Sequence, residues 1–223
     1  MRFFYIAILL MVILMSCKEQ AKYKLQPYPS QLNLAQKSPD SFLVSFKTTK
    51  GSFIMKAVRK WSPLGVDRLY LLVKSGYYDG CVIYRVAPTA SFKGGFVVQF
   101  GLANGIDLNK AWEKASIKDE PVVRPHLKGS VNFARGGPDT RSMELAISLT
   151  PAGQFDTVNY NGVVGFPSIA EVTDGMKVLE QLNSQYGNSV FDHEDSILKG
   201  REYFDRAYPG LDRILSASVV KEW

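Results

Sequence analysis

VIYRVAPTASFKGGFVVQFG, residues 82–101, contains two apolar runs, each interrupted by one polar side chain, Arg85 or Gln99. The runs 82–87 and 96–101 have the composition of two β-strands joined by a loop. Side chains alternate between the faces of a strand, so a short antiparallel pairing places Arg85 beside Gln99 on one face. The Gln99 carbonyl can then hold the guanidinium in one orientation. By itself, Arg85 is also compatible with an ordinary solvated arginine lying over apolar surface.

The composition is that of one globular domain with extensions, because 46% of the 223 residues are hydrophobic. Basic residues are scattered along a chain of net charge +6, which argues against a nucleic-acid partner. Only two cysteines are present, Cys17 and Cys81, and the two histidines, His126 and His193, are far apart. Without a ligand-like spacing or a nucleotide-binding motif, we expect neither a metal nor a cofactor.

The N-terminus, residues 1–16, has the pattern of a secretory signal peptide. Its apolar run, residues 3–15, is shorter than the roughly 20 residues of a transmembrane helix. The sequence LMSC, residues 14–17, resembles the lipobox of bacterial lipoproteins, which implies cleavage before Cys17 and its lipidation. An ordinary signal peptide with a coincidental cysteine is the alternative. We therefore expect a protein of the bacterial cell envelope, lipid-anchored on the periplasmic side or at the cell surface.

The rest of the chain divides into a tether and one folded domain. Residues 17–40 are polar and lack periodicity, so they predict a flexible tether after the lipidated Cys17. The domain then covers residues 41–223. Alternating apolar residues predict strands in SFLVSFKTTKGSFIMKAV (41–58, a hairpin), GSVNFAR (129–135), MELAISL (143–149), GVVGFP (162–167) and LDRILSASVV (211–220).

Few helices are expected. Ser62, Pro63 and Gly76 suit the N-cap, the first turn and the C-terminal end of an amphipathic helix. A second helix is predicted in DGMKVLEQL (174–182) and a third in DSILKGREYFDRAY (195–208). Many short antiparallel strands with few helices predict a closed barrel capped by helices.

Several of these stretches, taken together and in order, resemble the cyclophilin family of peptidyl-prolyl cis-trans isomerases. The resemblance implies a mainly β fold, a closed eight-stranded antiparallel barrel capped by two helices. It spans about residues 42–182, and residues 183–223 look like a C-terminal helical extension found in one branch of the family. The matching stretches are GYYDGCVIYRV (76–86), FVVQFG (96–101), GSVNFARGGPDTRSMELAIS (129–148), WSPLGVDRLYLLVKSGYYDG (61–80) and AEVTDGMKVLEQL (170–182).

The same resemblance implies a shallow groove that binds proline-containing polypeptides. It places the family's catalytic arginine at Arg85 and its supporting glutamine at Gln99. A lengthened loop, VAPTASFKGG (86–95), lets Phe92 compete with Phe96 for the role of the pocket aromatic, and we prefer Phe96 because it directly precedes VVQFG. The substrate-binding positions fall on Phe96, Val97, Ala134, Arg135, Glu144, Ala146 and Phe166.

Two departures from the family pattern leave two functions open. Glu144 stands where the family has glutamine, and it could pair with Arg85 and draw its donors away from substrate. Ala146 replaces an aromatic residue that floors the proline pocket. We expect a monomeric isomerase acting on X-Pro bonds of exported or envelope proteins. The alternative is a catalytically weak, envelope-anchored chaperone or peptide-binding module.

Overall fold

The computed structural model describes residues 25–87 and 97–223, apart from the side chains of residues 193–195. Ten strands are found in these residues, and eight of them form one antiparallel sheet. Their bounds are β1 Ser41–Thr48, β2 Gly51–Val58, β3 Arg85–Ala87, β4 Val97–Phe100, β5 Ser130–Phe133, β6 Leu145–Ser148, β7 Asn159–Tyr160, β8 Val163–Val164, β9 Ser168–Asp174 and β10 Ile214–Glu222. The order in the large sheet is β10-β1-β2-β9-β5-β6-β4-β3, and β7 pairs only with β8.

Helices are short and lie between the strands. The α-helices of the described residues are α1 Pro63–Lys74, α2 Ile106–Lys114, α3 Met176–Glu180, α4 Glu194–Ile197 and α5 Arg201–Ala207. Single 3-10 turns occur at Pro29–Gln31, Arg59–Trp61, Gly153–Asp156 and Ser189–His193. The predicted hairpin over residues 41–58 is confirmed by the full pairing of β1 with β2.

The core lies inside the curled sheet, under α1. Alternate residues of β1 are buried, as a strand with one solvated face requires. Phe46 of β1 stacks on Phe53 of β2 with the ring centroids 5.1 Å apart. The apolar face of α1, which includes Val66 and Leu69, is fully buried. The predicted amphipathic helix over residues 62–76 is therefore confirmed.

The N-terminus of α1 is capped differently from the expectation. Ser62 occupies the N-cap position, but its side chain makes no capping hydrogen bond to the helix. Instead, the carboxylate of Glu120 accepts hydrogen bonds from the backbone N–H groups of Leu64 (2.8 Å) and Gly65 (3.1 Å). The hydroxyl of Ser62 donates to the same carboxylate. An acidic side chain at this end of the helix also complements the helix dipole.

The prediction of a closed barrel is wrong, because the sheet curls into an open half-barrel between β3 and β10. Within the described residues, these two edges meet at one isolated antiparallel bridge, Val82 to Arg213. The backbone hydrogen bond from Ile83 N–H to the Asp212 carbonyl (2.8 Å) belongs to the same short contact. The physical reason is the register of this contact. Val82 precedes β3 and pairs with Arg213, which precedes β10, so the antiparallel course carries β3 past the end of β10 rather than alongside it.

Two features of the helices differ from the prediction. The single helix expected over residues 195–208 is two helices, α4 and α5, separated at Gly200. Gly200 has φ 70°, and a Cβ atom there would overlap the carbonyl oxygen of Ala103. Helix α2 was not predicted from the sequence. Its buried Trp112 donates from Nε1 to the Pro27 carbonyl at 3.0 Å.

Residues 25–40, which belong to the predicted tether, contact the domain at several points. Gln26 accepts a hydrogen bond from the Asn104 backbone N–H (2.9 Å), and the Ser38 hydroxyl donates to Asp67 (3.0 Å). The predicted signal peptide and Cys17 lie outside the described residues. In the part of the chain that is described, no helix is long and apolar enough to cross a membrane.

Candidate active site

Four neighbouring strands place a row of side chains across the sheet. Arg85 of β3 is the register partner of Gln99 in β4, and its Nη1 donates to the Gln99 Oε1 at 3.1 Å. Gln99 in turn faces Ala146 of β6, and Ala146 faces Asn132 of β5. The predicted neighbourhood of Arg85 and Gln99 is therefore confirmed, and the row extends across two further strands.

The strand that carries Arg85 is firmly packed. The side chains before and after it, Tyr84 and Val86, are buried on the opposite face. Arg85 itself is half-buried, and this loss of solvent lowers the pKa of its guanidinium. Because the ordinary value lies so far above neutrality, Arg85 keeps its charge and its N–H donors at physiological pH.

Two further contacts to Arg85 come from the C-terminal extension, which sequence reasoning had not connected with the site. Nε of Arg85 donates to the Oδ1 of Asn188 at 2.8 Å. The guanidinium carbon of Arg85 lies 5.1 Å from the centroid of the Phe191 ring, within cation–π range. No local pattern in the sequence could have signalled this contact, because Asn188 is separated from Arg85 by 103 residues.

Glu144 does not make the contact that the sequence suggested. Its Oε2 accepts hydrogen bonds from the hydroxyl of Tyr84 and from Nε2 of Gln99, the latter at 3.3 Å. Among the described residues, 25–87 and 97–223, no ion pair joins Glu144 to Arg85. Burial, and then the nearby carboxylate, raise the pKa of Tyr84 well above its usual value, so the hydroxyl stays a donor. The expected competition for the donors of Arg85 is thus wrong for this structure.

The opposite rim of the site is aromatic. Phe166 lies 5.4 Å from Phe155 and 5.8 Å from Tyr160, measured between ring centroids. The guanidinium carbon of Arg135 lies 4.1 Å above the Phe166 ring, and its Nη2 donates to the Val163 carbonyl at 2.9 Å. Phe155 and Tyr160 were not among the predicted site residues, because the sequence between residues 150 and 166 shows no strong periodicity.

A cavity of about 580 Å³ lies between these elements. Its size suits a peptide segment, since small-ligand sites range over roughly 300–1,000 Å³. The extension adds an apolar wall formed by Phe191, Ile197 and Leu198. Phe96 and its competitor Phe92 lie outside the described residues. The other predicted positions, Arg85, Gln99, Val97, Ala134, Arg135, Glu144, Ala146 and Phe166, all line this one cavity.

Comparison with known proteins decides the family. A family model described as cyclophilin type peptidyl-prolyl cis-trans isomerase/CLD matches residues 43–201. The chain belongs to this family. By family and by fold it is therefore a cyclophilin-type isomerase, as the resemblance implied.

Similar proteins are distant in sequence. The chain is 27% identical over 116 residues to peptidyl-prolyl cis-trans isomerase ppi1 of Schizosaccharomyces pombe, covering 51% of this chain and 71% of that protein. It is 25% identical over 143 residues to human peptidyl-prolyl cis-trans isomerase-like 3, covering 62% and 80%. A crystal structure of a cyclophilin-type isomerase from Cryptosporidium parvum, in the presence of the dipeptide Ala-Pro, superposes with a TM-score of 0.54 at 16% identity. That match covers 81% of this chain and 99% of that one.

This cyclophilin offers no evident metal site in its described part, where no group of three or more His, Cys, Asp or Glu side chains converges. His126 is buried and its Nδ1 lies 2.8 Å from the Asp156 Oδ1, an arrangement that fixes the turn carrying Phe155. The family match reaches residue 201, so the segment that bears Asn188 and Phe191 lies within it.

Proposed function

We propose that this cyclophilin rotates X-Pro peptide bonds in the cavity described above and that Arg85 is its catalytic residue. The observation that carries the proposal is the guanidinium of Arg85, held by Gln99 at 3.1 Å beside a cavity lined by Val97, Ala146 and Phe166. An oriented cation beside an apolar pocket is what the reaction requires, as the chemistry of the amide makes clear.

A peptide bond resists rotation because the nitrogen lone pair conjugates with the carbonyl, giving a barrier of about 18–20 kcal/mol. When the X-Pro bond twists, the conjugation is lost and the proline nitrogen becomes pyramidal and basic. A donor aimed at that nitrogen then binds the transition state better than either ground state. Arg85 is the donor in this proposal, and Gln99 holds its guanidinium at the Nη1 end.

A site of this kind can supply the acceleration that X-Pro isomerisation requires. Uncatalysed X-Pro exchange takes about 10–100 s at room temperature. Shortening it to milliseconds needs about a ten-thousandfold acceleration, which corresponds to about 5.5 kcal/mol. Removing one preorganised donor from an enzyme costs about 2.7–4 kcal/mol. Displacement of water by Phe166 and the wall of Phe191, Ile197 and Leu198 supplies the remainder.

For the substrates, we infer proline-containing polypeptides that are exported or lie in the envelope. We infer that the protein acts on them as a monomer. The supporting observation is the signal-like sequence that ends at Cys17. If Cys17 carries lipid, the stretch up to Leu25 spans at most about 26–29 Å when fully extended. Gln26 and Pro27 are already bonded to the domain, so the cavity would operate within a few nanometres of the membrane surface.

Labelling tests the anchor separately from the chemistry. Bacteria expressing the full chain and fed a radioactive or alkyne-bearing palmitate should incorporate the label, and the variant Cys17→Ser should not. Cys81 serves as the internal control because its thiol is buried. Label that persists in Cys17→Ser, or that is absent from the wild type, would overturn the proposed anchor while leaving the isomerase proposal intact.

A weaker, binding-only role is favoured by one specific observation. Ala146 lies in the row with Gln99 but offers only a methyl group to the cavity. An aromatic floor removed without replacement costs on the order of 3 kcal/mol of apolar contact. A protease-coupled assay over several X-Pro peptides separates the two roles. Acceleration by the wild type and its loss in Arg85→Ala supports the isomerase, whereas peptide binding without acceleration supports the binding module.

The assay needs a matched arginine control. Arg59 forms an ion pair with Asp67 at 2.8 Å and does not line the cavity. Arg59→Ala should therefore leave the rate of isomerisation unchanged. If it lowers the rate as much as Arg85→Ala does, the loss reflects general damage and the role assigned to Arg85 is wrong.

A further inference from the structure

The guanidinium of Arg85 is held from two sides. From the sheet, Gln99 Oε1 accepts from Nη1 at 3.1 Å. From the extension, Asn188 Oδ1 accepts from Nε at 2.8 Å, and the Phe191 ring lies 5.1 Å from the guanidinium carbon. The shorter of the two hydrogen bonds therefore comes from the extension rather than from the strand pair.

Two acceptors on different nitrogens fix a planar group more completely than one does. Gln99 alone would leave the guanidinium able to pivot about the single hydrogen bond at Nη1. A second acceptor at Nε removes that freedom because the five N–H donors of arginine lie in one plane. The Phe191 ring adds a further restraint through its cation–π contact with the same group.

The segment that carries Asn188 is itself anchored. Val190 is fully buried, and the Tyr208 hydroxyl donates to the Ser189 carbonyl at 3.1 Å. The backbone N–H of Phe191 donates to the Asn188 carbonyl at 3.1 Å. Phe191 also meets Tyr84 edge to face, with the centroids 6.3 Å apart. Asn188 is thus presented to Arg85 from a packed turn that also contacts the residue next to Arg85.

We propose that Asn188 is a positioning residue of the isomerase reaction and that the extension, through Asn188 and Phe191, completes the active site. This inference rests on the proposed function of Arg85. A small displacement of a catalytic group costs up to about 100-fold in rate. Loss of the Nε acceptor therefore lowers the rate of the chemical step while the peptide-binding walls of the cavity stay in place.

The test compares three variants of the full chain in the isomerisation assay, with kcat and KM measured separately. In Asn188→Ala, kcat should fall about 10- to 100-fold with little change in KM, because the lost contact orients the donor and does not bind the peptide. Asn188→Asp keeps an oxygen at the same distance from the backbone and should retain more of kcat than Asn188→Ala, while its added charge beside Arg85 should keep kcat below that of the wild type. This rescue distinguishes an acceptor role from a general packing role.

Asn183→Ala is the matched control in the same extension. Asn183 Nδ2 donates to the Gly210 carbonyl at 2.9 Å, and its Oδ1 accepts from the Gln185 backbone N–H at 2.9 Å, so its loss should lower the melting temperature. It has no contact with Arg85 and should leave kcat unchanged. An equal loss of kcat in Asn183→Ala and Asn188→Ala, or an unchanged kcat in Asn188→Ala, would overturn the inference.

A spectroscopic readout follows the contact directly. The Nε–H signal of Arg85 in a ¹H–¹⁵N spectrum should be protected from solvent exchange in the wild type and lose that protection in Asn188→Ala. Protection that is unchanged in Asn188→Ala contradicts the inference alone. A wild type that does not accelerate exchange at all refutes the proposed function, and with it this role of Asn188.

Discussion

Removing the hydroxyl of Tyr84 tests how the site keeps Glu144 away from Arg85. Tyr84 is fully buried and its ring stacks on Phe204 with the centroids 5.4 Å apart, so Tyr84→Phe keeps the packing and deletes only the hydroxyl. That hydroxyl donates to the Glu144 carboxylate. A hydrogen bond to a charged group contributes about 1.5–3 kcal/mol to stability.

The expected result is a melting temperature lower by about 3–12 °C, because each kcal/mol shifts a domain of this size by roughly 2–4 °C. The carboxylate of Glu144, short of one donor, should then compete for Arg85, and kcat/KM should fall. In a Glu144→Gln background the same Tyr84→Phe change should cost less by about 1 kcal/mol, since a neutral hydrogen bond contributes only about 0.5–1.5 kcal/mol.

The assay is a double-mutant cycle in chemical denaturation, combined with isomerisation rates for the same four proteins. Glu144→Gln should also restore kcat/KM in the Tyr84→Phe background, because an amide does not form an ion pair with Arg85. Equal costs of Tyr84→Phe in both backgrounds, or no change in stability at all, would refute the assigned role of the Tyr84 hydroxyl.

Three other outcomes follow from the structure. Burial raises the pKa of Cys81 to about 12, so its thiol should resist alkylation at pH 8, where about one molecule in 10⁴ is a thiolate; rapid labelling of the Cys81 peptide by mass spectrometry would contradict this. Burial also raises the pKa values of Tyr77 and Tyr78. Their contribution to the free energy of unfolding should therefore be complete below the pKa of tyrosine in the unfolded chain and be lost as the pH rises above about 9. A circular dichroism spectrum that stays unchanged up to pH 12 would oppose this. Gly200→Ala, at φ 70° and against a backbone carbonyl, should cost about 1–3 kcal/mol or more of the free energy of unfolding in a denaturant titration. Gly153→Ala should cost little, because the nearest atom that its Cβ would meet, Asp156 Oδ2, is 3.9 Å away. Equal effects of the two changes would disprove the strain at Gly200.

The parts of the site that the sequence predicted are those encoded locally. Period-two alternation was sufficient to pair Arg85 with Gln99, because both lie in short strands with buried neighbours on the other face. The hairpin over residues 41–58 and helix α1 follow from equally local patterns. The family resemblance then brought Arg135, Ala146 and the other described positions to one cavity.

The parts that were missed depend on tertiary contacts. Helix α2 has only nine residues and a glycine at its N-cap, and it is held by Asn109, which bonds to Ala103 and Leu198. Short helices of this kind gain their stability from packing rather than from intrinsic propensity. The open edge between β3 and β10 depends on where the two strands begin relative to each other, and strand patterns do not fix such boundaries.

The contact of the extension with Arg85 is the largest omission. Asn188 and Phe191 lie in the stretch that resembles a C-terminal helical extension, and no spacing rule connects them with a strand about a hundred residues earlier. Glu144 shows the reverse case, in which the residue was identified but its partner was not. Its carboxylate accepts hydrogen bonds from Tyr84 and Gln99, and the sequence pattern did not indicate either residue as its partner.

Exchange NMR on an Ala-Pro peptide at equilibrium shows whether Arg85 stabilises the twisted amide rather than the bound peptide. The measurement gives both the cis–trans exchange rate and the peptide affinity for the wild type and Arg85→Ala. Arg85→Ala should lower catalysed exchange by about 10²–10³-fold while the affinity changes only slightly. Exchange and affinity that fall together, or an exchange rate that does not fall, would refute this role of Arg85.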